Sequence, residues 1–63
     1  MTGRITQLID GQECGTIAGD DGVDYRFESR ALVGVTFGSL QLGVRVAFVP
    51  RTETRRATAV RLA

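Results

Sequence analysis

The commonest side chains able to do chemistry in this chain are arginines. Every basic residue is arginine, with no lysine and no histidine. Arg51, Arg55 and Arg56 crowd into one polar stretch, while Arg26 stands alone inside an alternating run. A guanidinium is a planar fork of N–H donors that grips a phosphate or carboxylate through two bonds and stacks on flat rings. The same groups also serve simply to solvate a loop, paired with Glu53, Glu28 or Asp24. Enzymatic constellations are missing. Without histidine the commonest general base is gone, and no nucleophile–base pair or glycine-rich phosphate loop stands in the chain. The single Cys14 cannot close an internal disulfide, and without histidine it builds no zinc site. It reads as a small strand residue rather than a redox switch. Asp20 and Asp21, flanked by glycines, are too few to cage a cation, and turn formation accounts for them. No catalytic activity, cofactor, metal or small-molecule substrate is expected.

Size and charge narrow the field further. A chain of 63 residues is one domain, residues 1–63, near the lower limit for folding alone and too small for a deep cleft. The net charge of +1 and pI near 8.0 lack the strong basic excess of many nucleic-acid-binding proteins. Arg4 and Asp10 interrupt any apolar signal core, and no apolar run reaches membrane-spanning length. A soluble, cytoplasmic protein with no membrane partner is the default expectation.

The elements that must position the arginines centre on one hairpin, Cys14 to Glu28. Two alternating runs flank Gly19-Asp20-Asp21-Gly22, and an Asp-Gly pair between such runs is a strong hairpin signal. Alternation puts Ile17, Tyr25 and Phe27 on the inner face and Thr16, Asp24, Arg26 and Glu28 on the outer one. Gly3 to Ile9 reads as a first strand with Ile5 inward, and Asp10-Gly11 as a turn. Ser29 to Leu32 fits one 3₁₀ turn with Ala31 and Leu32 packing inward. Val33 to Leu42 has no sustained period and reads as a loop, in which Phe37 and Leu40 are either anchors or exposed groups. Val44 to Val49 is a fourth strand with Val44, Val46 and Phe48 inward, and Pro50 is expected to end it. Arg51 to Arg56 reads as a polar loop, followed by a closing strand from Ala57 to Leu62 with Val60 inward. Five short strands with turns between them imply an all-β, small antiparallel barrel with Ile5, Ile17, Tyr25, Phe27, Leu32, Val46, Phe48 and Val60 in its core.

The order of these residues carries a resemblance. Gly3-x-Ile5 and Gly15-x-Ile17 are followed by Asp21-Gly22-x-Asp24-Tyr25-x-Phe27 and Ser29-x-Ala31-Leu32. Then come Phe37-x-x-Leu40-x-x-Gly43-x-x-Val46-x-Phe48 and Ala57-x-x-Val60. From Gly3 to Val60 the chain resembles the cold-shock domain family, whose fold is a five-stranded OB-fold barrel of about this size. Members of that family bind single-stranded RNA or DNA by stacking bases on aromatics of the first three strands. Here the family's K-G-F-G-F-I motif reads Gln12-Glu13-Cys14-Gly15-Thr16-Ile17, and V-F-V-H-F reads Tyr25-Arg26-Phe27-Glu28-Ser29. The first-strand tryptophan falls on Gln7 and the phenylalanine beside it on Leu8. Only Phe37 matches an aromatic that the family uses for ligand contact. The resemblance therefore implies the fold but not the stacking platform. A stacked base contributes about 1–3 kcal/mol, so losing five or six aromatics removes most of a micromolar affinity of roughly 8 kcal/mol.

Two functional readings remain. In the first, the barrel binds single-stranded RNA or DNA weakly, through Arg26, Arg51, Arg55, Arg56 and Phe37 with Gln7 and Thr16 on the same face. In the second, it is a protein-interaction or homodimerising module whose bare outer sheet, with Gln7, Leu8, Thr16 and Arg26, meets a partner or a second copy of itself.

Overall fold

In a computed structural model that describes residues 1–63, the chain is all-β. Five strands, β1 (Thr2–Ile9), β2 (Cys14–Gly19), β3 (Asp24–Glu28), β4 (Arg45–Arg51) and β5 (Arg56–Leu62), close into a barrel in the order β1-β2-β3-β5-β4. Its only helical segments are 3₁₀ turns of three residues each, at Asp10–Gln12, Ser29–Ala31 and Phe37–Ser39. No helix is long and apolar enough to cross a membrane. Four of the strand contacts are antiparallel, and the barrel is closed by a parallel contact between β3 and β5. This is the architecture of an OB-fold-like barrel.

The central hairpin forms where the alternation places it. Gly22 takes φ +83° in the turn, a conformation that residues with a side chain rarely adopt, and its N–H donates to the Gly19 carbonyl at 2.9 Å. The Asp21 carboxylate accepts from the Val23 N–H at 3.0 Å and from the Tyr25 hydroxyl at 2.7 Å, so the turn is tied to a core aromatic.

The core gathers Ile5, Ile17, Tyr25, Phe27, Val46, Phe48 and Val60, all buried. Tyr25 and Phe48 meet with ring centroids 5.2 Å apart at 56°, in the tilted geometry that aromatic pairs favour. Gly15 permits part of this packing. A Cβ there would lie 2.9 Å from the Phe27 ring, so the absence of a side chain lets that ring lie directly over β2.

Several expectations need correction. Leu32 is only half-buried, pairing with Val60 at the wall, whereas Leu40 and Ala57 are fully part of the core. The segment 33–42 is not wholly irregular, since Phe37–Ser39 forms a turn that drives Phe37 and Leu40 inward. Val44 lies just before β4 and is half-buried against the core. Pro50 does not end β4, which continues to Arg51 with Pro50 opposite Ala57. The physical reason is local: β1 pairs only with 45–47, so at Pro50 the strand has a neighbour on one side and an absent N–H costs no ladder bond.

Candidate functional site

The outward face of the barrel carries a row of side chains that runs across all five strands. Gln7 stands opposite Thr16, Thr16 opposite Arg26, Arg26 opposite Arg56, and Arg56 opposite Arg51. Neighbouring strands lie about 4.8 Å apart, so the row spans roughly 19 Å along the curved wall. Each link has a structural cause. The register of β1 against β2 shifts between Ile5 and Gln7, a bulge that leaves Thr6 without a partner and brings Gln7 opposite Thr16. The Thr16 hydroxyl donates to Gln7 Oε1 at 3.3 Å, and Arg26 follows from the hairpin register. Arg56 arrives through the parallel contact, in which the Arg26 N–H donates to the Arg55 carbonyl at 2.9 Å. Arg51 and Arg56 do not lie in an open loop. They are the last residue of β4 and the first of β5, opposed across a turn at 52–55 in which Arg55 takes φ +54°.

The arginines differ in how they are engaged. Arg56 Nη1 donates to Glu28 Oε2 at 3.3 Å, and Arg30 Nη2 donates to the same oxygen at 3.2 Å. Arg26, Arg51 and Arg55 form no ion pair, and neither Glu53 nor Asp24 takes one of them as a partner. Pairing with a carboxylate therefore accounts for Arg56 alone among the four arginines singled out in the sequence. The others stand exposed, with their donors turned to solvent.

Phe37 does not join this row. Its side chain is in the core at 8% exposure, tilted at 42° against Phe27 with centroids 6.5 Å apart. Of the two readings of this residue, anchor and ligand contact, the packing supports the anchor, and its ring has no open face for a base. Leu8 also leaves the outer face. Beyond the bulge the alternation of β1 is reset, and Leu8 packs against the core. Cys14 lies on the outer face with Thr16 and Glu28, but it is buried there at 7% exposure, its thiol donating to Gln12 Oε1 at 3.8 Å.

Two clefts border the row. One, of about 340 Å³, is polar and lies between Gln12, Cys14, Arg26, Glu28 and Arg56 above Phe27. The other, of about 400 Å³, is more apolar and opens between the end of β3 and the start of β5. They share Phe27, Glu28 and Arg56. Glu28 is one of the three carboxylates the sequence offers as partners for these arginines, whereas the second cleft has no counterpart there, because it depends on the β3–β5 contact, for which a chain has no local signature.

On the far side of the barrel, Asp20 accepts from the Thr2 hydroxyl and from Arg45 Nη2, the latter at 3.1 Å. The Thr2 hydroxyl, followed by Arg45, holds the Asp20 carboxyl below its ordinary range. The Tyr25 hydroxyl does the same to Asp21, helped by the Val23 N–H, and that bond together with burial pushes Tyr25 up.

By architecture, then, the chain is a small OB-fold-like barrel with an arginine-bearing row on its outer face. In sequence it matches no protein-family model and no curated protein.

Proposed function

We propose that this barrel binds single-stranded RNA or DNA through its phosphates, with Arg26, Arg51, Arg55 and Arg56 as the contacts and Gln7 and Thr16 continuing the same face. The observation that carries this reading is the register that lines Arg26, Arg56 and Arg51 up across three adjacent strands, with Arg26 and Arg51 free of carboxylate partners. Guanidinium forks at successive positions suit a chain of phosphates, and their exposure leaves the donors accessible. The resemblance to cold-shock domains supports the same ligand class. The aromatic platform of that family is absent, so the proposed mode is electrostatic, weak and largely independent of base sequence.

The test is a titration with a labelled thymidine- or uridine-rich single strand at low and at physiological salt. The reading expects binding at low salt that weakens steeply as salt rises. A protein-interaction or self-associating module would instead leave the oligonucleotide unbound at both salts, and sedimentation or partner capture would reveal the other occupant of the face.

A further inference from the structure

The wall of the barrel is split beside the arginine row. β3 and β5 pair at Arg26 and Arg56, and the chain pairs again with β5 only at Leu32 and Val60. Between these two contacts lie residues 27–31 on one side and 57–59 on the other, unequal lengths that cannot form a continuous ladder. The longer side takes up its excess in the Ser29–Ala31 turn, and the shorter side bends through Ala59 at φ +50°. The result is the cleft of about 400 Å³, floored by Phe27 and walled by Ala31, Val33, Ala57 and Ala59. Val33 is held at its mouth by an N–H bond to the Val60 carbonyl at 2.7 Å, and the residue is 55% exposed.

We infer that this split is a slot for one unstacked nucleobase of the bound strand. The inference rests on the single-strand reading given above and adds the part of the ligand that the arginine row leaves unread. Three features select a base rather than an aliphatic side chain. The slot opens at Arg56, which stands between Arg26 and Arg51 in the row and also lines the polar cleft, so a nucleotide whose phosphate lies on Arg26 and Arg51 has its base beside the opening. Its apolar walls suit the faces of a flat ring, and the guanidinium groups of Arg30 and Arg56 at its rim can stack on such a ring. Its rim also carries a hydrogen-bonding edge. Glu28 Oε2 accepts from both arginines, leaving Oε1 to accept a ring N–H or amino group. The slot thus takes over, at one position, the role that stacking aromatics have in the resembled family.

A strand of abasic sugar-phosphate units keeps the phosphates and lacks the bases, which separates the slot from the row. The experiment compares a short labelled thymidine oligonucleotide with an abasic strand of equal length on the whole protein at low salt. The slot predicts that the thymidine strand binds at least about fivefold more tightly. Ala31→Leu, which fills the slot, and Val33→Ser, a change at an exposed position, should each reduce that preference while leaving the affinity for the abasic strand unchanged. Equal binding of both strands by the native protein would overturn the slot and leave the phosphate reading standing. So would a preference that survives in both folded variants. If neither strand bound, the phosphate reading would itself have failed, and the slot with it.

Discussion

Arg26 and Arg56 face each other across the parallel contact that closes the barrel, and the Arg26 N–H donates to the carbonyl of Arg55, the residue preceding Arg56. One backbone junction thus both completes the fold and brings together two like charges that are distant in sequence. Like charges on directly opposed residues are unfavourable in a sheet. Glu28 offsets the repulsion by holding Arg56 at 3.3 Å.

That offset predicts the effect of removing it. Glu28→Gln keeps an amide oxygen as acceptor but removes the charge that competes with phosphate for Arg56 and Arg30. Affinity for an abasic strand, which makes no use of Glu28 Oε1, should rise by up to about fivefold, in line with the small worth of exposed ion pairs. Fluorescence anisotropy on the folded variant checks this. An unchanged or lower affinity would mean that Arg56 does not touch the strand.

The packing of Phe27 over Gly15 predicts two stability changes with different causes. Phe27→Ala empties a buried aromatic site and should cost about 3–5 kcal/mol, most of the stability of so small a domain. Gly15→Ala adds a methyl against that ring and the Gln7 carbonyl, and overpacking of this kind should cost about 1–3 kcal/mol. Urea unfolding measures both. A neutral Gly15→Ala would show that β2 and Phe27 separate easily.

The bond between Tyr25 and Asp21 shapes the pH dependence of stability at both extremes. Asp21 is held below its ordinary value of 3.8, so its contribution is present above that pH and lost as pH falls through the lower folded value. Tyr25 is raised above its ordinary value of 10.0, so its contribution is present below that pH and lost as pH rises through the higher folded value. Tyr25→Phe removes the largest cause of both shifts. Melting temperature plotted against pH should therefore fall less steeply below pH 4 and above pH 10 in the variant than in the native protein. Some acid sensitivity should persist, because Asp20 is independently held low by Thr2 and Arg45. Identical slopes in the two proteins would contradict this assignment.

Ala59 carries backbone strain at φ +50°, where the register of β5 against β4 also shifts. Alanine at positive φ costs about 1 kcal/mol, against a smaller entropic penalty for glycine in the unfolded chain. Ala59→Gly should therefore leave stability unchanged or raise it by up to about 1 kcal/mol. A loss of that size, the usual result within a strand, would show that the positive φ is not kept in solution.

How much of this was legible in the sequence depended on how local each feature is. The hairpin from Cys14 to Glu28 could be read because its turn residues and its alternation lie side by side in the chain. The barrel core followed from the same alternation. Leu8 stands on the inner face, not the outer one that the resemblance implies, because the unpaired Thr6 resets the alternation and nothing in the composition of β1 marks it. Arg51 belongs to β4 although Pro50 looks like a stop, because whether a proline ends a strand depends on whether a neighbour needs its N–H. The arginine row itself was invisible in its geometry. Its residues were named, but the register aligning Arg26 with Arg56 arises only when the barrel closes.

On the proposed function, a row of guanidinium groups, rather than the barrel's overall charge, binds the strand. The most direct measurement is the dependence of oligonucleotide affinity on salt, compared among three variants of equal net charge. Three or four phosphate contacts predict a slope of log affinity against log salt of roughly −2 to −3 for the native protein. Arg26→Ala and Arg51→Ala should each flatten that slope by about 0.7 and weaken binding. Arg61→Ala removes the same charge farther along β5, opposite Ala47 and outside the row, and should leave the slope unchanged. Equal effects of all three substitutions, or no measurable binding at low salt, would show that the arginine row is not a strand-binding site.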